Sequence, residues 1–171
     1  DEDGNSTNVV IDGLDDSSLC VFYDTNPACP ANQRYKVLSM MFRDRKLDIR
    51  TLWCYASGDG YHFKKDRSFG FTLDDSIYTA GSARDPKVVC DADGIYHMFV
   101  TTTDRRIDRG VLVHLTSPDC EGWQVVGNIA ESPDRAEPEC PDYFVCGNTY
   151  YLIYSLHGRA HYRYSDNPFD G

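Results

Sequence analysis

Two short acidic motifs contain the residues whose types and spacing best suit chemistry. The first is Arg84-Asp85-Pro86, and the second, Glu139-Cys140-Pro141-Asp142, follows with 54 positions between Asp85 and Glu139. Cleavage of a glycosidic bond needs one carboxylic acid to protonate the departing oxygen. It also needs another carboxylate that attacks the sugar or stabilises its positive charge. An adjacent arginine can bind sugar hydroxyls or keep a carboxylate ionised. If the two motifs converge on one pocket, they predict this carbohydrate chemistry.

Several acids in and beside these motifs also have ordinary structural interpretations. An aspartate before proline is commonly a turn or cap residue, which is the alternative for Asp85. Glu137 is expected to be an exposed acid without a special role. Asp142 either hydrogen-bonds the backbone of its turn or orients Glu139, and the sequence does not separate these two roles. It is also a candidate contact for substrate.

A pair of histidines, His157 and His161, is spaced four positions apart. On a helix this spacing could bind a metal. Gly158 and the alternation around it predict a strand or loop instead, so no metal site is expected. His157, in a loop, is then a candidate contact for a sugar. No phosphate-binding loop or Gly-x-Ser-x-Gly motif is present, and no cofactor is expected.

The elements that must position these residues are predicted to be strands. Short runs of β-branched and aromatic residues are separated by Gly, Asp, Asn and Pro, whereas helical periodicity is weak. An all-β fold is therefore expected. The ten predicted strands are 19–23, 35–42, 52–56, 87–90, 96–102, 111–116, 124–128, 143–146, 150–155 and 161–164.

The strands recur as a repeat. A tyrosine-led apolar strand begins at Tyr35, Tyr96 and Tyr150, with spacings of 61 and 54 residues. The strand after it ends in Ser-x-Asp in the first two units, and in the third the aspartate comes one position early. A unit of about four strands every 50 to 60 residues is typical of β-propeller blades. A β-sandwich is the alternative, although a sandwich does not require such a repeat.

Three blades follow from this spacing, at approximately 8–80, 81–133 and 134–171. Closed propellers usually have 4 to 8 blades, so the chain is expected to be part of a larger propeller or of an oligomer. The innermost strand of each blade lines the central channel. Asp85 and Glu139 both lie at the start of a first strand, which predicts that they face one pocket.

Composition and charge limit which binding partners and which cellular compartment are expected. The 171 residues carry 27 acids and 17 bases, for a net charge of -10. A protein surface that binds nucleic acid is usually basic, so nucleic acid and anionic membrane are not expected as partners. A neutral saccharide suits the charge balance better.

No apolar run approaches the 18 residues of a transmembrane helix. Seven scattered cysteines without a C-x-x-C pair indicate mostly buried thiols in a reduced cytoplasm rather than zinc or disulfides. Secretion with a removed signal peptide is left open.

Taken together, the two motifs resemble those of glycoside hydrolase family 32, the invertases, inulinases and levanases. The resemblance extends over about 81–171 and includes Asp-Gly-x-Tyr-His-Met after the first motif and Tyr-Tyr-Leu-Ile-Tyr-Ser after the second. It implies a five-bladed propeller and a retaining hydrolase of β-fructosides. By the same resemblance, Asp85 stabilises the transition state, Glu139 is the general acid/base, and Arg84 contacts substrate.

One part of that family's pattern is missing. Its nucleophile is an aspartate in an Asn-Asp-Pro-Asn-like setting well upstream, and this sequence has no such motif. The nearest similar stretch begins at Asp24, but its surroundings are typical of a later blade. The nucleophile is therefore not assigned, and a non-catalytic carbohydrate-binding propeller is an alternative. An arabinan- or xylan-cleaving propeller enzyme is a third.

Overall fold

The fold of the computed structural model is built almost entirely from β-strands. The structure describes residues 11, 18–44, 49–65 and 70–170. Within them, the only helix is a single 3-10 turn, Ala31–Gln33. The strands are β1 (Leu19–Tyr23), β2 (Tyr35–Asp44), β3 (Ile49–Ser57), β4 (Lys64–Lys65), β5 (Arg84–Cys90), β6 (Tyr96–Asp104), β7 (Arg109–Ser117), β8 (Gln124–Glu131), β9 (Glu139–Cys146), β10 (Thr149–Leu156) and β11 (Arg159–Ser165). All ten predicted strands are confirmed, and the two-residue β4 was not predicted.

These strands form three antiparallel sheets. The first has the order β1-β2-β3-β4, the second β5-β6-β7-β8 and the third β11-β10-β9. Each strand pairs with its neighbour in sequence, as in a propeller blade, and the sheets do not close into a ring. The architecture is a partial β-propeller, as the repeat predicted. The exact blade boundaries stay predictions, and the first of them, residue 8, lies outside the described residues.

The second sheet lies between the other two, and its strand β6 is buried at all nine positions. Met98 and Val100 on one face pack with the first sheet, in a cluster that includes Leu38 and Leu52. Phe99, on the opposite face, packs with Leu152 of the third sheet. Successive side chains of a strand point to opposite faces, so a strand between two sheets is apolar throughout.

The repeated tyrosines occupy the same position in each sheet. Tyr35 is paired with Ser57, Tyr96 with Ser117, and Tyr150 with Ser165. This register confirms that the sequence repeat is a structural repeat. No described helix is long and apolar enough to cross a membrane.

The turn that follows the third strand is built alike in the first two sheets. The Asp59 carboxylate accepts two backbone N–H groups and the Ser57 hydroxyl, and Asp119 does the same beside Ser117. In both turns the hydrogen bonds to the charged form hold the pKa of the aspartate below its usual value. The Ser-x-Asp signature is therefore a structural motif that terminates the strand.

The methionines and tryptophans of the first two sheets lie in or beside the core. Met40 and Met41 are buried. Trp123 is also buried and belongs to the cluster between the first and second sheets. Trp53 is half-buried, and the Lys65 ammonium lies 3.7 Å from the centre of its ring. Both tryptophan side chains therefore pack against the sheets.

Candidate active site

The two acidic motifs form matching bulges at the starts of β5 and β9. In β5, Arg84 pairs with Thr101 but Lys87 pairs with Phe99, so one extra residue is accommodated. In β9 the same shift separates Glu139, opposite Ser155, from Asp142, opposite Ile153. A bulge of this kind bends the strand and redirects its side chains. The motifs therefore occupy equivalent places in adjacent sheets.

The strand register does not make the two predicted catalytic acids equivalent to each other, because it differs from that match by one residue. Arg84 of β5 matches Glu139 of β9, while Asp85 matches Cys140. Both residues of the second pair have positive φ, 52° at Asp85 and 51° at Cys140. Each precedes a proline, which favours extended backbone at that position. Non-glycine residues in this region store strain of roughly 1–3 kcal/mol, and such strain clusters at functional sites.

Asp85 connects the inner strands of all three sheets. Its Oδ2 accepts a hydrogen bond from the backbone N–H of Cys140 at 3.0 Å. Its own backbone N–H donates to the hydroxyl of Ser18, the residue before β1. The starts of β1, β5 and β9 therefore converge, as the propeller interpretation requires. This arrangement fixes the Asp85 carboxylate while leaving it partly accessible.

Arg84 joins the predicted catalytic acids. Its Nη2 donates to Glu139 Oε1 at 2.7 Å, and its Nε lies 3.9 Å from Asp85 Oδ2. Because both nitrogens belong to one planar guanidinium, these two carboxylate oxygens are at most roughly 9 Å apart. The structure therefore brings Arg84, Asp85 and Glu139 together, as predicted. Their roles in catalysis stay predictions.

Glu137 is not the ordinary exposed acid that the sequence predicts. Its side chain is only 14% exposed, and it forms an ion pair with Arg84 Nη1. The Thr103 hydroxyl donates to Glu137 Oε1 at 2.6 Å. The expectation of an ordinary exposed acid is wrong, because this segment lies against the second sheet, where the Thr101 hydroxyl also donates to the Pro138 carbonyl at 2.6 Å. No feature of the sequence points to this contact, because it depends on how the β5 and β9 bulges align across two sheets.

The charges of this cluster are balanced by hydrogen bonding. Burial would lower the pKa of Arg84, but hydrogen bonds to Glu137 and Glu139 outweigh burial and raise it. Burial would raise the pKa of Glu137, but the hydrogen bonds from Thr103 and Arg84 hold it below its usual value. Burial, followed by the adjacent Asp85, raises the pKa of the Cys140 thiol. The cluster therefore contains ionised Arg84 and Glu137 around a neutral thiol.

Asp142 and His157 lie beside this cluster. Asp142 Oδ1 accepts the backbone N–H of Tyr143 at 2.9 Å and pairs with Lys87 Nζ at 2.7 Å. The first of its two predicted roles, bonding to the local backbone, is thus observed. His157 lies in the turn between β10 and β11, at the same end of the third sheet as Glu139. Its Nε2 is 3.3 Å from Asp134 Oδ2. Among the described residues, no three His, Cys, Asp or Glu side chains are grouped so that they could hold a metal.

Asp24 lies at the opposite end of the first sheet from Ser18. It is fully buried and contacts Lys36 Nζ at 2.5 Å and the Tyr96 hydroxyl at 2.8 Å. Burial would raise its pKa, but the hydrogen bond from Lys36 and its other partners outweigh burial and lower it. This environment is that of a structural ion pair. A cavity of about 640 Å³, lined in part by Asn26, Lys36 and Tyr96, lies at this end.

Comparison with known protein families identifies the fold. The model of the glycosyl hydrolases family 32 N-terminal domain matches residues 42–169, which include both acidic motifs. The chain belongs to glycosyl hydrolase family 32. The suspected resemblance is confirmed, and so is membership of a family of glycosidases. No curated protein sequence matches the chain.

Solved structures share the fold of this family 32 chain at low sequence identity. Fructan 1-exohydrolase IIa from Cichorium intybus has a TM-score of 0.63 and 15% identity, over 80% of this chain and 28% of that one. A family 32 β-fructofuranosidase from Bombyx mori has a TM-score of 0.59 and 17% identity, with coverages of 80% and 34%. An α-L-arabinofuranosidase mutant from Fusarium graminearum has a TM-score of 0.64 and 19% identity, with coverages of 89% and 46%. The chain therefore spans between about a quarter and a half of these proteins.

Proposed function

We propose that this chain is part of a retaining glycosidase that hydrolyses β-fructosides such as sucrose or fructans. The observation that carries the proposal is that Arg84 contacts both Asp85 and Glu139, in a chain of glycosyl hydrolase family 32. Structures of similar fold include a Bombyx mori β-fructofuranosidase mutant with sucrose and a Cichorium intybus exohydrolase mutant with 1-kestose. These ligands support a saccharide substrate for this chain.

Each residue has a distinct role in this proposal. Glu139, about half exposed, donates a proton to the departing oxygen and later removes one from water. Asp85 stabilises the positive charge that develops on the sugar, and the hydrogen bond that it accepts from the Cys140 N–H fixes the position of its carboxylate. Arg84 contacts substrate hydroxyls, with Asp142 and His157 at the edge of the site. The nucleophile is not assigned to any residue of this chain.

Two other functions remain candidates. The missing nucleophile motif motivates a carbohydrate-binding propeller without catalysis. The fold similarity to the Fusarium graminearum arabinofuranosidase motivates cleavage of arabinan or xylan, because its TM-score of 0.64 is as high as that of the fructan exohydrolase. The family match favours β-fructosides over both. A cytoplasmic location and assembly into an oligomer or a larger propeller stay predictions.

The test is the Glu139→Gln variant in a form of the protein whose wild type has measurable turnover, assayed with sucrose, inulin, levan and arabinan. Removal of a general acid/base lowers turnover by about 10²–10⁴-fold, and we expect this loss with an unchanged circular dichroism spectrum. Glu121→Gln is the matched control, since Glu121 is an exposed glutamate in the turn after β7. Equal turnover in the Glu139→Gln variant and the wild type would reject the assignment. Sugar binding without product release would favour the non-catalytic alternative.

A further inference from the structure

The side chain of Glu137 is built into the candidate site although neither acidic motif includes it. It lies two residues before Glu139, in the segment that leads into β9. Its two oxygens have different partners, since Oε1 accepts from the Thr103 hydroxyl and Oε2 from Arg84 Nη1. Arg84 Nη1 also donates to the Ser82 carbonyl at 3.1 Å. The carboxylate is thus held from the second sheet and does not move freely in solvent.

Arg84 contacts Glu137 and Glu139 through different nitrogens of one guanidinium. An arginine beside a single carboxylate favours its charged form, and so opposes the protonated form that a general acid requires. Here the more buried Glu137, 14% exposed, lies against Nη1, and the more exposed Glu139, 49% exposed, lies against Nη2. Glu137 therefore compensates a large part of the Arg84 charge independently of Glu139.

We propose that Glu137 is a positioning residue that holds Arg84 in place and neutralises its charge, so that Glu139 can carry a proton. This inference rests on the proposed function of Glu139. Other charged or titratable groups of the described residues also lie near the pair. Asp85 comes from β5 and Cys140 from β9, and the paired Lys87 and Asp142 lie one step further along both strands. Asp85 also bears on the Arg84 charge, but its Oδ2 lies 3.9 Å from Nε and accepts the Cys140 N–H, whereas Glu137 is hydrogen-bonded directly to Nη1.

The size of the effect follows from Coulomb's law. Two carboxylates bound to neighbouring nitrogens of a guanidinium are roughly 6 Å apart, and the effective dielectric constant lies between about 20, typical near a protein surface, and about 80, that of water. Loss of the Glu137 charge should then shift the titration of Glu139 to lower pH by about half a unit to two units. Glu137→Asp keeps the charge and should largely preserve the wild-type titration.

The experiment is a ¹³C NMR titration of the 171-residue chain labelled at Cδ of its five glutamates. The Glu139 resonance is assigned by its loss in Glu139→Gln, and Glu121→Gln is the control for removal of one distant negative charge. In Glu137→Gln we expect the midpoint of the Glu139 titration to move to lower pH. If this variant does not fold, Thr103→Val removes the 2.6 Å hydrogen bond and should give a smaller shift of the same sign. An unchanged or higher midpoint in the folded variant overturns the inference.

Enzyme kinetics separate this inference from the proposed function. In a form of the protein whose wild type turns over a fructoside, Glu137→Gln should move the alkaline limb of the pH–kcat profile to lower pH, while Glu139→Gln loses activity at every pH. If the alkaline limb of Glu137→Gln lies where that of the wild type does, while Glu139→Gln is inactive, the positioning role of Glu137 is rejected and the proposed function is not. Full activity of Glu139→Gln rejects the proposed function, while the NMR titration still decides whether Glu137 compensates Arg84.

Discussion

Two buried histidines between the second and third sheets should make the stability of this chain depend on pH. His114 Nε2 and His97 Nδ1 are 2.9 Å apart, and His97 Nε2 also lies 3.2 Å from Asp91 Oδ2. The rings of Phe99 and Phe169 pack against the pair. Burial, and then the proximity of His97, lowers the pKa of His114 to about 4. Burial also lowers the pKa of His97, although Asp91 opposes this.

The sign and size of the effect follow from proton linkage. Between pH 6.5, the ordinary pKa of histidine, and about pH 4, His114 is protonated in the unfolded chain but neutral in the folded one. The unfolded state then binds more protons, so the free energy of unfolding falls as the pH falls through this window. At roughly 1.4 kcal/mol per pKa unit, His114 accounts for about 3 kcal/mol. Below pH 4 this contribution changes no further.

The assay is urea denaturation at pH 7, 6, 5 and 4 for the wild type and for His114→Gln. Glutamine can still bond to the His97 ring but does not titrate, so the variant should lose about 3 kcal/mol less than the wild type between pH 7 and 4. His161→Gln is the control, because His161 is an exposed histidine of β11. If His114→Gln and the wild type show the same pH dependence, the pair is not the buried neutral contact described above.

Two further predictions concern the framework of the fold. Asp24→Asn leaves the Lys36 ammonium buried without its partner and should lower the free energy of unfolding by about 3–5 kcal/mol, whereas Asp166→Asn at an exposed turn should not. Thermal denaturation of both variants checks this, and equal melting temperatures would contradict it. Gly110→Ala would place a Cβ 2.0 Å from a carbonyl oxygen of the segment before β9, and should cost about 1–3 kcal/mol. Gly122→Ala has only one heavy atom within 4 Å, at 3.9 Å, and is its control; equal urea midpoints would refute the close contact.

Much of the fold could be predicted because the strands repeat. The tyrosine-led strands at Tyr35, Tyr96 and Tyr150 occupy matching positions opposite a serine, so their sequence spacing reports the blade period directly. The two-residue β4 could not be predicted, since so short a strand has no periodicity of its own. Nor could the burial of β6 on both faces, which arises only once a sheet packs on each side.

The candidate site was predicted in part. Asp85 and Glu139 each begin a first strand, so their convergence followed from the blade architecture. The ion pair of Glu137 did not, because a contact across sheets depends on the register of two bulges that one sequence does not specify. The exact match of Arg84 with Glu139, and of Asp85 with Cys140, likewise required the observed strand pairing.

The central claim is that Asp85 and Glu139 share one sugar-binding site. A crystal structure of the Glu139→Gln variant soaked with sucrose tests it most directly, because the substrate cannot turn over. We predict a sugar hydroxyl within about 3 Å of an Asp85 carboxylate oxygen, and the glycosidic oxygen beside the side chain at position 139. Sucrose bound instead at the opposite end, in the cavity beside Lys36, or no bound sugar at Asp85, would contradict the claim.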